Sequence, residues 1–173
     1  MDISVLRRLE EKDAIGMLEW MQDSEIQKCF RFNTKDKTLV DVLSFIESAS
    51  IVPKEGESIH FAVVDKNDEY MGTISLKKID LISRNAEYAI SMRKQAQGTG
   101  LALKATKEII DLAFNEFNLE RVYLNVLSKN VRAVRFYEKA GFSYEGEFRN
   151  HLFLQDEFCS LKWFSILKED EVN

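Results

Sequence analysis

The stretch RKQAQGTGLALKATKEIIDLAFNEF, residues Arg93 to Phe117, decides the fold. Gly98 and Gly100 stand one residue apart in a chain that has only seven glycines. Before them, Arg84 to Met92 (RNAEYAISM) alternates like a strand. After them, a helix is predicted from about Thr99 to Phe117, with Leu101, Ala105, Ile109 and Leu112 on one apolar stripe and Ile110, Phe114 and Phe117 on a second. Asn118 fits the residue that ends it. Arg121 to Leu127 (RVYLNVL) reads as the next strand. Strand, helix and strand in this order demand a parallel pair joined by a right-handed crossover.

The glycine turn admits two readings. The first N–H groups of a helix have no internal partner and carry the positive end of its dipole, so a glycine turn there suits an anion. A tight turn capped by Thr99 explains the same residues. No Gly-Lys-Ser/Thr follows, which excludes the nucleotide P-loop, and no third glycine follows at the dinucleotide spacing.

Outward from this unit, Ile3 to Leu9 reads as a short strand and Lys12 to Met21 as a helix with Ile15, Leu18 and Trp20 inward. Ser24 to Lys28 and Leu39 to Ala49 read as further helices, the latter with Leu39, Val42, Leu43 and Ile46 at helical spacing. Ile59 to Val64 and Tyr70 to Leu76 flank the polar turn Asp65–Glu69 and make an antiparallel hairpin. His60 opens the first of these strands and reads as structural. Asn130 to Ala140 is a helix stopped by Gly141. Phe142 to Arg149 and Phe158 to Leu167 are the last strands, around the turn Leu154–Glu157. Pro53 sits in a loop, and residues 1–173 read as one domain. The expected class is α/β (α+β): a mixed, mostly antiparallel sheet of about seven strands with helices on both faces.

The composition is 45% hydrophobic and 31% charged, with a formal net charge of -5. That speaks against a nucleic-acid binder, which normally carries a basic patch. No stretch has the length of a membrane span, and the charged N-terminus is unlike a signal peptide, so a cytoplasmic protein is expected. Cys29 and Cys159 lie in apolar surroundings without metal spacing, and read as buried, reduced thiols. No metal site is expected.

Gln95-x-x-Gly98-x-Gly100 resembles the pyrophosphate-binding motif of the GNAT superfamily of acetyl-CoA-dependent N-acetyltransferases. The segment Asn130 to Phe142 (NVRAVRFYEKAGF) is similar to a second signature of that family. Gly146–Arg149 and the Asp156-centred turn look like the branch that holds ribosomal-protein, spermidine and nucleotide-amino-sugar acetyltransferases. The resemblance covers nearly the whole chain in element order and is most specific over residues 86–149.

What the resemblance implies is a fold whose central strands splay, and a co-substrate, acetyl-CoA, in the gap. Gln95, Ala96, Gln97, Gly98, Thr99 and Gly100 would hold the pyrophosphate. Ile90, Ser91 and Met92 would pair with the pantetheine arm, and an N–H there would polarise the thioester carbonyl. Tyr137 would be the general acid for the leaving thiolate, with Ala133 and Phe136 among the residues that bind the cofactor. Asn130 has two competing jobs, capping its helix and touching the cofactor arm. Glu87 is a candidate base, with a structural role as the alternative.

The acceptor would be a primary amine on a small molecule. Phe30 and Arg31, in the aromatic segment Lys28–Asn33 near Trp20, lean toward a nucleotide-linked amino sugar. Glu19, Asp23, Glu25 and Glu47 keep a polyamine open. Asn125 and His151 are further acceptor candidates. The alternatives are a protein N-terminal acetyltransferase, a non-catalytic acyl-CoA-binding module, and a generic phosphate-binding domain with no role for Tyr137. A homodimer through the C-terminal strands is compatible with the pattern.

Overall fold

A computed structural model describes residues 4–28 and 33–172. Its seven strands form one sheet in the order β1-β2-β3-β4-β5-β7-β6. They are β1 (Leu6–Arg7), β2 (Ile59–Val64), β3 (Tyr70–Asp80), β4 (Asn85–Met92), β5 (Arg121–Leu127), β6 (Ser143–Leu154) and β7 (Glu157–Leu167). The helices are α1 (Ala14–Gln22), α2 (Ser24–Gln27), α3 (Leu39–Ser48), α4 (Leu101–Asp111) and α5 (Val131–Lys139). Only β4 and β5 run parallel, joined through α4 as the crossover rule requires.

The sheet separates two cores. Ile59, Phe61 and Val63 of β2 pack with Ala105, Ile109 and Phe114 on the α4 side. Ala62 and Val64, on the opposite face, pack with Met17, Trp20, Val42 and Ile46 of α1 and α3. A strand buried on both faces reads as a continuous apolar run, and IHFAVV does.

Several expectations change: the first strand is only Leu6–Arg7, and the strand expected to end at Arg149 runs to Leu154. Ile15 is not inward: it is 66% exposed, while Ala14, Met17 and Trp20 are buried. A 3-10 turn over Glu11–Asp13 precedes α1 and shifts its phase. The helix expected to reach Phe117 leaves α geometry at Leu112, where a π turn covers Leu112–Glu116. Asn118 follows with φ 56, as a terminating residue does. The strand expected to end at Leu76 runs to Asp80, through a bulge at Lys78 with φ 51.

The last two strands close on Gln155 and Asp156, both at positive φ, as a two-residue hairpin turn requires. β7 is paired on both edges, to β5 and β6, so it belongs to the sheet interior and the edge strand at this end is β6. Cys159 is buried and free; Cys29 lies outside the described residues. No helix among the described residues is long and apolar enough to cross a membrane.

Candidate active site

β4 and β5 pair at Asn85↔Arg121, Ala86↔Val122 and Glu87↔Tyr123, and then part. β5 continues on β7 and β4 continues on β3. The Arg93 N–H donates to Met71 O on the β3 side, and Arg84 O accepts from Glu120 N on the β5 side. Main-chain groups alternate along a strand. The C=O of Tyr88 and the N–H and C=O of Ile90 and Met92 therefore face the gap beyond the last pair, with no strand to receive them.

A cavity of about 920 Å³ runs through this gap from one face of the sheet to the other. On the α4 side its wall is the glycine turn. Gly98 has φ +76 and Gly100 φ +82, and an added Cβ at either meets nothing within 4 Å. The geometry of the turn is compatible with both readings. Thr99 Oγ1 donates to Ala96 O and accepts from Leu101 N, which makes the turn and caps the helix. The N–H groups of Gly98, Gly100, Ala102 and Leu103 have no partner among the described residues, and all four residues line the cavity. Lys94 and Arg132 stand beside the turn, and Lys139 lines the cavity from the far end of α5. Four free N–H groups and the two cations beside them fit a pyrophosphate.

α5 supplies the next part of the wall, with Asn130, Ala133, Phe136 and Tyr137. Asn130 Oδ1 accepts from Ala133 N, so it caps the helix and also lines the cavity. Arg132 Nη1 donates to Gln97 Oε1 at 3.0 Å and ties α5 to the turn. The Tyr137 ring sits among Phe136, Tyr88, Phe142 and Phe164, at centroid distances of 5.5–6.5 Å. The Tyr88 hydroxyl bonds Thr106 Oγ1, and complete burial raises the Tyr88 pKa well above its usual value, with Tyr137 adding to the rise. It stays a neutral support.

On the other face the cavity is bounded by α1, α2, Phe45 of α3 and the strands. Trp20 Nε1 donates to the Tyr70 hydroxyl, which bonds Thr73 Oγ1, so this aromatic wall is fixed. Burial pushes the Tyr70 phenol up to about 12. Asp23 and Glu25 line this half. Asp23 Oδ1 also caps α2 through Glu25 N and Ile26 N. Glu87 is buried in the same wall, with Lys78 Nζ at 2.7 Å and Lys77 Nζ at 3.9 Å. The bulge at Lys78 brings two consecutive lysines onto one carboxylate. Asn125 lines the cavity two residues beyond the last β4–β5 pair, on the Glu87 face.

The structure thus gathers Glu87, Ile90, Ser91, Met92, Ala96, Gln97, Gly98, Gly100, Asn125, Asn130, Ala133, Phe136 and Tyr137 in one wall. Gln95 and Thr99 are not part of it: the Gln95 amide donates to Glu69 Oε1. His151 is outside as well, exposed and edge-on to Phe148. Phe30 and Arg31 lie outside the described residues. Glu19 pairs with Arg93. Sequence reasoning missed His60, Ser75, Lys77 and Tyr88 as wall residues. The signal was there for His60: it shares the even-numbered face of β2 with Ala62 and Val64, the face that turns toward α1 and α3.

A model of the acetyltransferase (GNAT) domain matches residues 4–143. The chain is 33% identical over 117 residues to the spermidine N(1)-acetyltransferase of Escherichia coli, an alignment that covers 66% of this chain and 63% of that one, a little under two thirds of its length. It is 26% identical over 168 residues to an uncharacterized N-acetyltransferase of Bacillus licheniformis, covering 95% and 93% of the two chains. The crystal structure of spermidine N-acetyltransferase from Vibrio cholerae, in complex with CoA and spermine, superposes with a TM-score of 0.83 at 25% identity, over 97% of each chain.

Proposed function

Because the chain belongs to the acetyltransferase (GNAT) domain family, we propose that it works as one unit that moves an acetyl group from acetyl-CoA to a primary amine, and that the acceptor is a polyamine. The observation that carries this reading is the single cavity through the β4–β5 gap, with free N–H groups and cations at one mouth and carboxylates at the other. Acetyl-CoA supplies an activated acyl carbon and a thiolate leaving group. The N–H groups of Gly98, Gly100, Ala102 and Leu103 hold the pyrophosphate, with Lys94 and Arg132 adding charge. The free edge of β4 receives the pantetheine arm as an added strand would be received. An N–H of that edge, Ile90 foremost, polarises the carbonyl. Tyr137, held by four rings, gives its phenolic proton to the departing sulfur.

The acceptor enters from the α1–α2 side. Asp23 and Glu25 there favour a cationic chain, and a nucleotide-linked sugar would bring its phosphates against them. The spermidine acetyltransferases among the relatives support the same class. Glu87, neutralised by Lys77 and Lys78, shapes the floor of this half. We assign the free β6 edge, where Tyr144, Phe148 and Phe153 are exposed, to a second copy; sedimentation velocity checks it.

The experiment is calorimetric titration with acetyl-CoA beside a thiol-release assay over polyamines, amino sugars, nucleotide amino sugars and short peptides. Binding with release on polyamines, weakened by added salt, is the expected result. Binding without release on any amine refutes the transferase reading. Release on a nucleotide sugar alone refutes the acceptor.

A further inference from the structure

His60 and Ser75 form a pair that the sequence marks only as part of a hairpin. They face each other across β2 and β3, and His60 Nδ1 lies 2.7 Å from Ser75 Oγ. Both line the acceptor half of the cavity. The row continues across the sheet: His60 is opposite Ser75, and Ser75 is opposite Ala89 on β4, at the edge of the gap. Ala89 carries only a methyl on this face of β4. His60 Nε2 has no partner among the described residues. A histidine that only fills a core has no need of a wall position with one nitrogen left over.

Resting on the acetyl-transfer reading above, we propose that His60 and Ser75 are the proton acceptor for the attacking amine, with Ser75 relaying the proton to His60. The acceptor ammonium first loses one proton to water; the neutral amine then forms the C–N bond with its lone pair and becomes a strong acid. Its N–H proton passes to Ser75 Oγ while the Ser75 hydroxyl proton passes to His60 Nδ1. The C–S bond breaks with its pair on sulfur, which takes the Tyr137 proton. His60 releases its Nε2 proton to water, and Tyr137 regains one from water. Both ring nitrogens have a use, one to receive and one to discharge.

The surroundings suit a neutral imidazole. Burial lowers the His60 pKa from its ordinary 6.5, and the Lys77 ammonium lowers it further. The charged groups that share the wall with it are Lys77 on β3, Glu87 on β4, and Asp23 and Glu25 at α2; α3 presents the Phe45 ring, 4.9 Å away. Glu87, the carboxylate nearer the gap, is held by Lys77 and Lys78 and is the weaker base candidate.

The test is a pH profile of kcat at saturating acceptor, on the full chain and on His60→Gln, Ser75→Ala and Ser75→Thr. The wild type should lose rate below a midpoint under 6.5 as His60 protonates. His60→Gln should lower kcat at pH 7 by about 10²-fold and erase that acid limb. Ser75→Ala should lower kcat with little change in KM, and Ser75→Thr, which keeps the hydroxyl, should recover most of it. Acetyl-CoA affinity should be unchanged in all three, which also reports folding. If His60→Gln does not fold, the Ser75 pair carries the test. An active wild type with the same acid limb in His60→Gln overturns the proposal alone, as does an imidazolium at pH 7 in the ¹⁵N spectrum. A wild type that binds acetyl-CoA and releases thiol with no amine overturns this proposal together with the reading it rests on.

Discussion

Replacing Gly98 by alanine separates a turn from a binding site. At φ +76 an L-residue pays the left-handed penalty, about 1–2 kcal/mol. The new Cβ meets no protein atom within 4 Å, so no clash adds to it. For a chain of this size the melting temperature should fall by about 2–8 °C. Gly56 is the matched control: φ +75, nothing within 4 Å, and no place in the cavity wall. Gly56→Ala should cost the same stability. Only Gly98→Ala puts a methyl where an anion must approach the main chain. Losing one charge-assisted hydrogen bond there, about 1.5–3 kcal/mol, raises the acetyl-CoA Kd by about 10- to 100-fold. Calorimetric titration of both variants, beside their thermal denaturation, reads the two effects apart. Equal acetyl-CoA affinity in Gly98→Ala and Gly56→Ala would refute the anion-site argument and leave the glycines as a turn.

Tyr137→Phe should lower kcat by about 10²- to 10⁴-fold with acetyl-CoA affinity kept, and unchanged turnover removes the general acid. Gly72→Ala should cost about 1–3 kcal/mol in denaturant melts, because its Cβ meets Ser91 O, Met92 Sδ at 2.5 Å and Met92 Cα at 3.0 Å; a neutral result means the β3–β4 contact is slack. The Glu145 carboxylate, which accepts from Nη1 and Nη2 of Arg121 and from the Ser165 hydroxyl, has its pKa lowered from 4.5 to about 2, chiefly by Arg121. A folded pKa below the unfolded one gives stability that is present above 4.5 and is lost as pH falls toward 2. With the side chain 39% exposed, solvent screening leaves about 1 kcal/mol, and Glu145→Gln should flatten stability between those pH values by that amount.

The glycine turn and the α5 segment were legible because each depends on local chemistry: a helix start without a Cβ, an Asn cap, a two-stripe helix. The parting of β4 and β5 was legible only through the family resemblance, since nothing within Glu87–Met92 says where pairing stops. Lys78 carries no mark of its positive φ, so the bulge that sets two lysines on Glu87 was invisible. Ile15 was misplaced because a 3-10 turn does not keep the 3.6 period. His60 looked structural because its strand is apolar on both faces, and only the pairing with β3 brings Ser75 beside it. His151 was chosen by its position near a hairpin, and strand pairing set it on the exposed side of β6 instead.

The three-pair junction between β4 and β5 makes the sheet two stiff plates held by a short weld. Each plate is laced by long ladders, β2–β3–β4 on one side and β5–β7–β6 on the other. On the proposed reading, a narrow rod laid along the open seam and anchored by its phosphates at α4 would brace the joint where the protein has left it weakest. The compliance of the molecule then depends on its load. Amide exchange at Ile90 and Met92, fast in the free chain, should slow on acetyl-CoA binding far more than in the plates themselves. The substrate would then act as a structural member of the sheet for as long as it stays, and departure of CoA would return the seam to its looser state.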